Sequence, residues 1–327
     1  MNIRQRIIVV AAAVVAGALC FFAGRLTAGS VTPPQSLRLP GYTFIDPLLA
    51  CNINNSNIYQ ENRSLESQLK SIIDAHTVSG DISKASAYYV NLKSGSWASI
   101  YGDATFYPSS LGKIPLLVAY YQEAENDPSV LDKQVYYPPG SADLNQMQDI
   151  PPERAIMPGR SYSVEQLLEY MIKYSDNNAT ALLDSNIDAD TLNRVYGDLN
   201  IPTEESVTLA NADFMTAHQI ATLFRVLYNA TYLSRDDSEK VLGLLSQTSF
   251  TQGIVAGVPA GTVVSHKLGL VGIAPNNVTT EHELHDCGIV YASTPYLLCV
   301  MTRGSAPLPT LEGLIAQIST TVYKQIQ

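Results

Sequence analysis

Ser110 and Lys113, in the run Ser110-Leu111-Gly112-Lys113, are a hydroxyl and an amine spaced so that one helix face can carry both. A serine hydroxyl is a weak nucleophile until a base removes its proton. A lysine can be that base when burial and a second cation lower its pKa. The chemistry implied is covalent attack on a carbonyl. By itself the spacing means little, because Ser67-Gln68-Leu69-Lys70 repeats it within an amphipathic run, where it reads as a solvated helix face.

The company of Ser110 distinguishes it. Ser175-Asp176-Asn177 follows at the end of a well-capped helical run, and Lys267-Leu268-Gly269 follows at the end of a strand-like run. With these three motifs in order, the chain from roughly Lys84 onward resembles the class A serine β-lactamases and their relatives among penicillin-binding proteins, which carry S-x-x-K, S-D-N and K-T-G. The resemblance implies that Ser110 becomes acylated, with Lys113 as base or proton relay. Ser175 would pass a proton to the departing nitrogen. Asn177, Lys267 and Gly269 would form the substrate-binding group, with Asn177 also positioning Lys113 and Lys267 supplying positive potential. The oxyanion hole would use the Ser110 N–H and one N–H after Lys267, at a residue the motifs do not identify. Asp176 is expected to stabilise its turn. Neither cofactor nor metal is implied.

Two departures bear on the reaction. Leu268 stands where the family has Thr or Ser, so a hydroxyl that helps hold a substrate carboxylate is missing. The family's deacylating Glu, with an Asn four residues later, has no match in Asn200–Asp213, where Glu204 and Glu205 are the glutamates. The expected activity is therefore hydrolysis of β-lactam amides through an acyl-enzyme, with slow deacylation. The alternatives are a D-alanyl-D-alanine peptidase acting on cell-wall peptide and a catalytically silent binding protein. The cluster Glu281-His282-Glu283-Leu284-His285-Asp286 gathers metal-ligand types, but successive strand residues face opposite ways. It and His266 are expected to make polar contacts at the cleft edge, or the run to begin a strand over His285–Tyr291. No G-x-S-x-G elbow supports a Ser-His-Asp triad.

The elements that must position these groups follow from periodicity. Leu65, Leu69, Ile72 and Ile73 predict an amphipathic helix over Arg63–His76. Ala85–Leu92 and Trp97–Tyr101 predict a hairpin. Helices are expected from Ser110 to Glu123, from Ser163 with a Gln166 capping box and a Tyr162–Leu167 staple, from Thr216 with Gln219 and a Met215–Ile220 staple, and from Ser234 to Leu245. Strands over Gly261–Lys267, Cys287–Ala292 and Tyr296–Thr302 precede a last helix over Leu311–Ile326. This order predicts an α+β fold of the β-lactamase/transpeptidase type. Both ends of the domain form an antiparallel sheet flanked by helices, with an all-helical lobe (about 110–250) inserted and a cleft between.

Composition sets the remaining bounds. Of 327 residues, 46% are hydrophobic, enough for a substantial core. A net charge of −10 opposes binding to a phosphate backbone, so no nucleic-acid partner is expected. Ile7–Gly24 is uncharged and apolar between Arg6 and Arg25. It reads as a membrane anchor, or as a cleaved signal, within residues 1–28. Either way the domain over 61–327 would lie outside the cytoplasm of a bacterial cell, as a monomer, joined to the anchor by a Pro/Gly/Ser-rich tether and domain entry over 29–60 or secreted if the signal is cleaved. Four cysteines are too few for a disulfide framework. Cys287 and Cys299 are open to one cross-link or to two buried thiols.

Overall fold

A computed structural model of the chain describes residues 37–50, 60–202, 213–273 and 279–326, with Asn2 and Gln5 besides. The anchor segment 7–24, Cys20, Cys51, Glu204 and Glu205 lie outside the described residues. In order, the elements are β1 (Leu37–Arg38), β2 (Leu48–Ala50), α1 (Arg63–Ser79), β3 (Lys84–Asn91), β4 (Trp97–Ile100), β5 (Thr105–Phe106) and α2 (Lys113–Asn126). They continue with β6 (Gln134–Tyr137), β7 (Arg160–Ser163), α3 (Val164–Lys173), α4 (Asn177–Asp184), α5 (Ala189–Asp198), β8 (Met215–Thr216), α6 (Ala217–Tyr228) and α7 (Arg235–Leu245). The chain closes with β9 (Val264–Ile273), β10 (Glu281–Val290), β11 (Tyr296–Gly304) and α8 (Leu308–Ile326).

The main sheet has the order β4-β3-β11-β10-β9, with every pair antiparallel. Strands from the two ends of the domain meet at β3 and β11, as an inserted helical lobe requires. One sheet face packs on α1 and α8 through Leu65, Leu69, Ile73, Leu311, Ile315 and Ile318. The other packs on the helical lobe through Leu117, Leu167, Phe224 and Leu227. Each of these side chains is fully buried, a gain of about 1.5–3 kcal/mol apiece. Both predicted capping boxes form: Ser163 Oγ accepts from Gln166 N and Gln166 Oε1 accepts from Ser163 N, and Thr216 and Gln219 repeat the exchange.

Several expectations are corrected. Ser110 does not open an α-helix; Ser109–Gly112 is a 3₁₀ turn and α2 begins at Lys113. β9 runs over Val264–Ile273 and not Gly261–Lys267, so Lys267 sits inside the strand and not at its end. β10 runs over Glu281–Val290, because the polar residues Glu283, His285 and Asp286 find buried partners and are drawn into the sheet. The spacing also failed to predict β6, β7, α4 and α5. Residues 37–50, grouped by composition with a tether, dock on the domain. The Glu239 carboxylate accepts the N–H groups of Thr43, Phe44 and Ile45, and Arg38 donates to Asn229 Oδ1 and Leu92 O. Cys287 and Cys299 face each other across β10 and β11 and are joined as a disulfide.

Candidate active site

The turn Ser109–Gly112 is held against β9 from below. Leu111 is fully buried, and a Cβ on Gly269 would lie 2.8 Å from Pro108 O and 3.1 Å from Leu111 Cγ. Gly269 thus lets the strand approach the turn.

Ser110, Ser175 and Lys267 line a cavity of about 420 Å³ whose walls include Ile150, Phe250, Leu268 and Leu270. The Ser175 hydroxyl is its hub. It donates to Ser110 Oγ at 2.9 Å and receives Lys113 Nζ at 3.2 Å and Lys267 Nζ at 3.0 Å. Ser175 reaches this place from a left-handed backbone, φ 59°, a conformation that costs energy for a residue with a Cβ and clusters at functional sites. Lys113, behind the cavity, also donates to Asn177 Oδ1 at 2.7 Å and to Ser175 O at 2.8 Å. Asn177 therefore holds the amine, and its carbonyl oxygen is engaged.

Burial holds the Lys113 amine well below its ordinary pKa, the neighbouring Lys267 cation lowers it further, and Asp176 pulls the other way. Burial brings Lys267 down to about 7, against the pull of Asp286. Burial thus disfavours the charged form of both amines that meet at Ser175, and the Lys267 cation further disfavours that of Lys113.

Asp176 is fully buried and caps α4. Its carboxylate accepts from Asn178 N (2.8 Å), Ala179 N (3.3 Å), Ile156 N (2.7 Å) and Asn145 Nδ2 (2.9 Å). Asn145 Oδ1 in turn accepts from Asn177 N at 2.8 Å. Asn145 is thus a positioning residue that the motifs did not reveal. It lies in a Pro-rich run with no periodicity, and only its burial marks it.

The strand residue whose backbone meets the serine turn is Leu270. Its carbonyl accepts Ser109 Oγ at 2.6 Å, so it points away from β10 toward the serine turn. In an antiparallel strand the N–H of a residue points to the same edge as its C=O. The Leu270 N–H therefore opens on the cleft beside Ser110. Leu268 is 8% exposed and packs into the core on the α1/α8 side of the sheet.

The residues weighed as metal ligands fall on opposite sheet faces. Glu283 accepts from Arg303 Nε at 2.7 Å and from Tyr107 N at 3.0 Å, and His285 Nε2 lies 3.0 Å from Tyr107 O. On the other face His266 Nδ1 meets Asp286 Oδ1 at 2.7 Å. All four are buried within the strands, so of the two expectations the strand one holds for His285 and Asp286 and contact at the cleft edge does not. The second Ser-x-x-Lys pair lies on the exposed face of α1, where Lys70 binds Asp74 at 2.6 Å.

A five-stranded antiparallel sheet, an inserted helical lobe and a serine–lysine–serine cluster between them define a protein of the β-lactamase/transpeptidase fold with an S-x-x-K site. The model of the beta-lactamase enzyme family, a family of serine-hydrolase type, matches residues 64–326, and the chain belongs to that family. It is 29% identical over 181 residues to the extended-spectrum beta-lactamase PER-1 of Pseudomonas aeruginosa. That stretch is 50% of this chain and 57% of PER-1, so the chain spans little more than half the length of this relative. Among solved structures, PBP-A is similar with a TM-score of 0.66 at 22% identity, over 82% of this chain and 98% of PBP-A. A variant of PBP-A was solved as an acyl-enzyme complex with penicillin G. The class A beta-lactamase from Mycobacterium abscessus is similar with a TM-score of 0.63 at 20% identity, over 80% of this chain and 99% of that one.

Proposed function

We propose that the chain is an exported serine hydrolase of the class A β-lactamase type that opens β-lactam amides through an acyl-enzyme at Ser110. The observation that carries the proposal is the Ser175 hydroxyl shared among Ser110 Oγ, Lys113 Nζ and Lys267 Nζ. Lys113, whose burial favours the unprotonated amine, takes the Ser110 proton through Ser175 as Ser110 Oγ bonds to the lactam carbonyl carbon. The carbonyl oxygen gathers charge under the N–H groups of Ser110 and Leu270. The C–N bond then breaks, and the nitrogen receives the proton back through Ser175. Water later cleaves the ester, releasing the opened acid and restoring the Ser110 hydroxyl.

Deacylation is the slow step in this reading, because neither Glu204 nor Glu205 has the Asn four residues on that the family places after its deacylating Glu. The apolar run Ile7–Gly24 supports a membrane tether with the domain outside the cytoplasm. Among the described residues no helix is long and apolar enough to cross a membrane. The same missing Glu favours a second reading, a D-alanyl-D-alanine peptidase that penicillin acylates.

The test is to follow intact mass and lactam absorbance after adding a reporter penicillin. Rapid lactam loss that Ser110→Ala abolishes supports the β-lactamase, and a long-lived adduct supports the peptidase. No adduct and no lactam loss would refute both and favour a binding protein.

A further inference from the structure

We infer that Ser109 is a positioning residue whose hydroxyl clamps the two halves of the oxyanion hole to their working separation; the inference rests on the acylation proposed above. One donor of the hole is the N–H of Ser110, on the 3₁₀ turn, and the other is the N–H of Leu270, on the free edge of β9. These belong to elements far apart in the chain. Packing fixes their approach from below, where Pro108 O and Leu111 close on Gly269. Across the top, Ser109 Oγ donates to Leu270 O at 2.6 Å. That single bond joins the residue before one donor to the residue that carries the other.

The backbone of Ser109 points the same way. Its φ is +50°, in the left-handed region where a glycine is relaxed and a residue with a Cβ is strained. A serine there lowers stability relative to glycine, and the hydroxyl contact with Leu270 accounts for what the side chain contributes. Loss of the clamp would let the edge of β9 drift from the turn, widening a hole whose donors must lie within hydrogen-bond reach of the developing oxyanion.

Ser109→Gly and Ser109→Ala in the full chain separate this role from a structural one. The measurements are thermal unfolding and the rate of covalent labelling by a fluorescent penicillin, with Ser110→Ala as the unlabelled control. Ser109→Gly is expected to raise the unfolding temperature by relieving the strained φ. Its saturating acylation rate falls about ten- to a hundredfold, while the half-saturating concentration stays within about twofold. Ser109→Ala is expected to show the same rate loss without the thermal gain. Labelling of Ser109→Gly at the wild-type rate, or a loss confined to half-saturation, would overturn the clamp while leaving acylation intact. A wild-type chain that takes no label would overturn the acylation reading itself.

Discussion

Replacing Lys267 by methionine should make the protein more stable at neutral pH and remove a pH dependence of stability that the wild type possesses. The Lys267 amine is about 1% exposed, and burial lowers its pKa from 10.5 to about 7. Below pH 7 the amine is protonated in both the folded and unfolded states, and the folded state carries the full cost of the buried charge. Between 7 and 10.5 only the unfolded state holds the proton, so stability rises by about 1.4 kcal/mol per pH unit from this group. Above 10.5 the cost is gone. Across the window the cost is on the order of 5 kcal/mol. The two hydrogen bonds that the amine donates, to Ser175 Oγ and Leu268 O, offset about 1 kcal/mol each. Lys267→Met should therefore gain on the order of 2–3 kcal/mol at pH 7. The gain should shrink steadily toward pH 9. Urea unfolding of both proteins at pH 7, 8 and 9 measures it. Parallel stability profiles, or a wild type more stable at every pH, would refute the assignment of a desolvated lysine at this position.

Three further outcomes follow from the same geometry. Lys267→Met should shift the acid limb of the acylation rate to higher pH, because the cation that lowers the Lys113 pKa is gone; a pH–rate profile of penicillin labelling reads it. Ser175→Ala cuts the proton path between Lys113 and Ser110 and should slow acylation by about 10²–10⁴ without unfolding the protein, as stopped-flow labelling and circular dichroism would show. Asp176→Ala removes four hydrogen bonds at a buried cap and should lower stability by about 3–5 kcal/mol, measured by urea unfolding.

Much of the fold was legible because its signals are local. The helices at Ser163, Thr216 and Ser234 announce themselves through capping residues and apolar spacing, and all three form. The hairpin of β3 and β4 follows from alternation and a Gly-containing turn. The helices α4 and α5 were missed because Asp176 and Asp188 cap them without a sustained apolar period behind. The full lengths of β9 and β10 were missed because Lys267, Glu283, His285 and Asp286 read as surface residues. They become strand residues only when Ser175, Arg303, Tyr107 and His266 supply partners that make burial tolerable.

The division at the site has the same cause. By itself the sequence determined the reactive types and their order, Ser110 with Lys113, then Ser175 and Asn177, then Lys267. It also determined the departure at Leu268, because such features belong to single positions. Tertiary structure alone decided that Ser175 is the hub, that Gly269 packs under the turn, that the Leu270 backbone faces the serine turn, and that Asn145 braces the Ser-Asp-Asn turn. Those facts depend on which edge of β9 stays unpaired and on its register against β10, where a slip of one residue would turn every side chain to the opposite face. Register is set by contacts between segments far apart in the chain, and no local run of residues carries it.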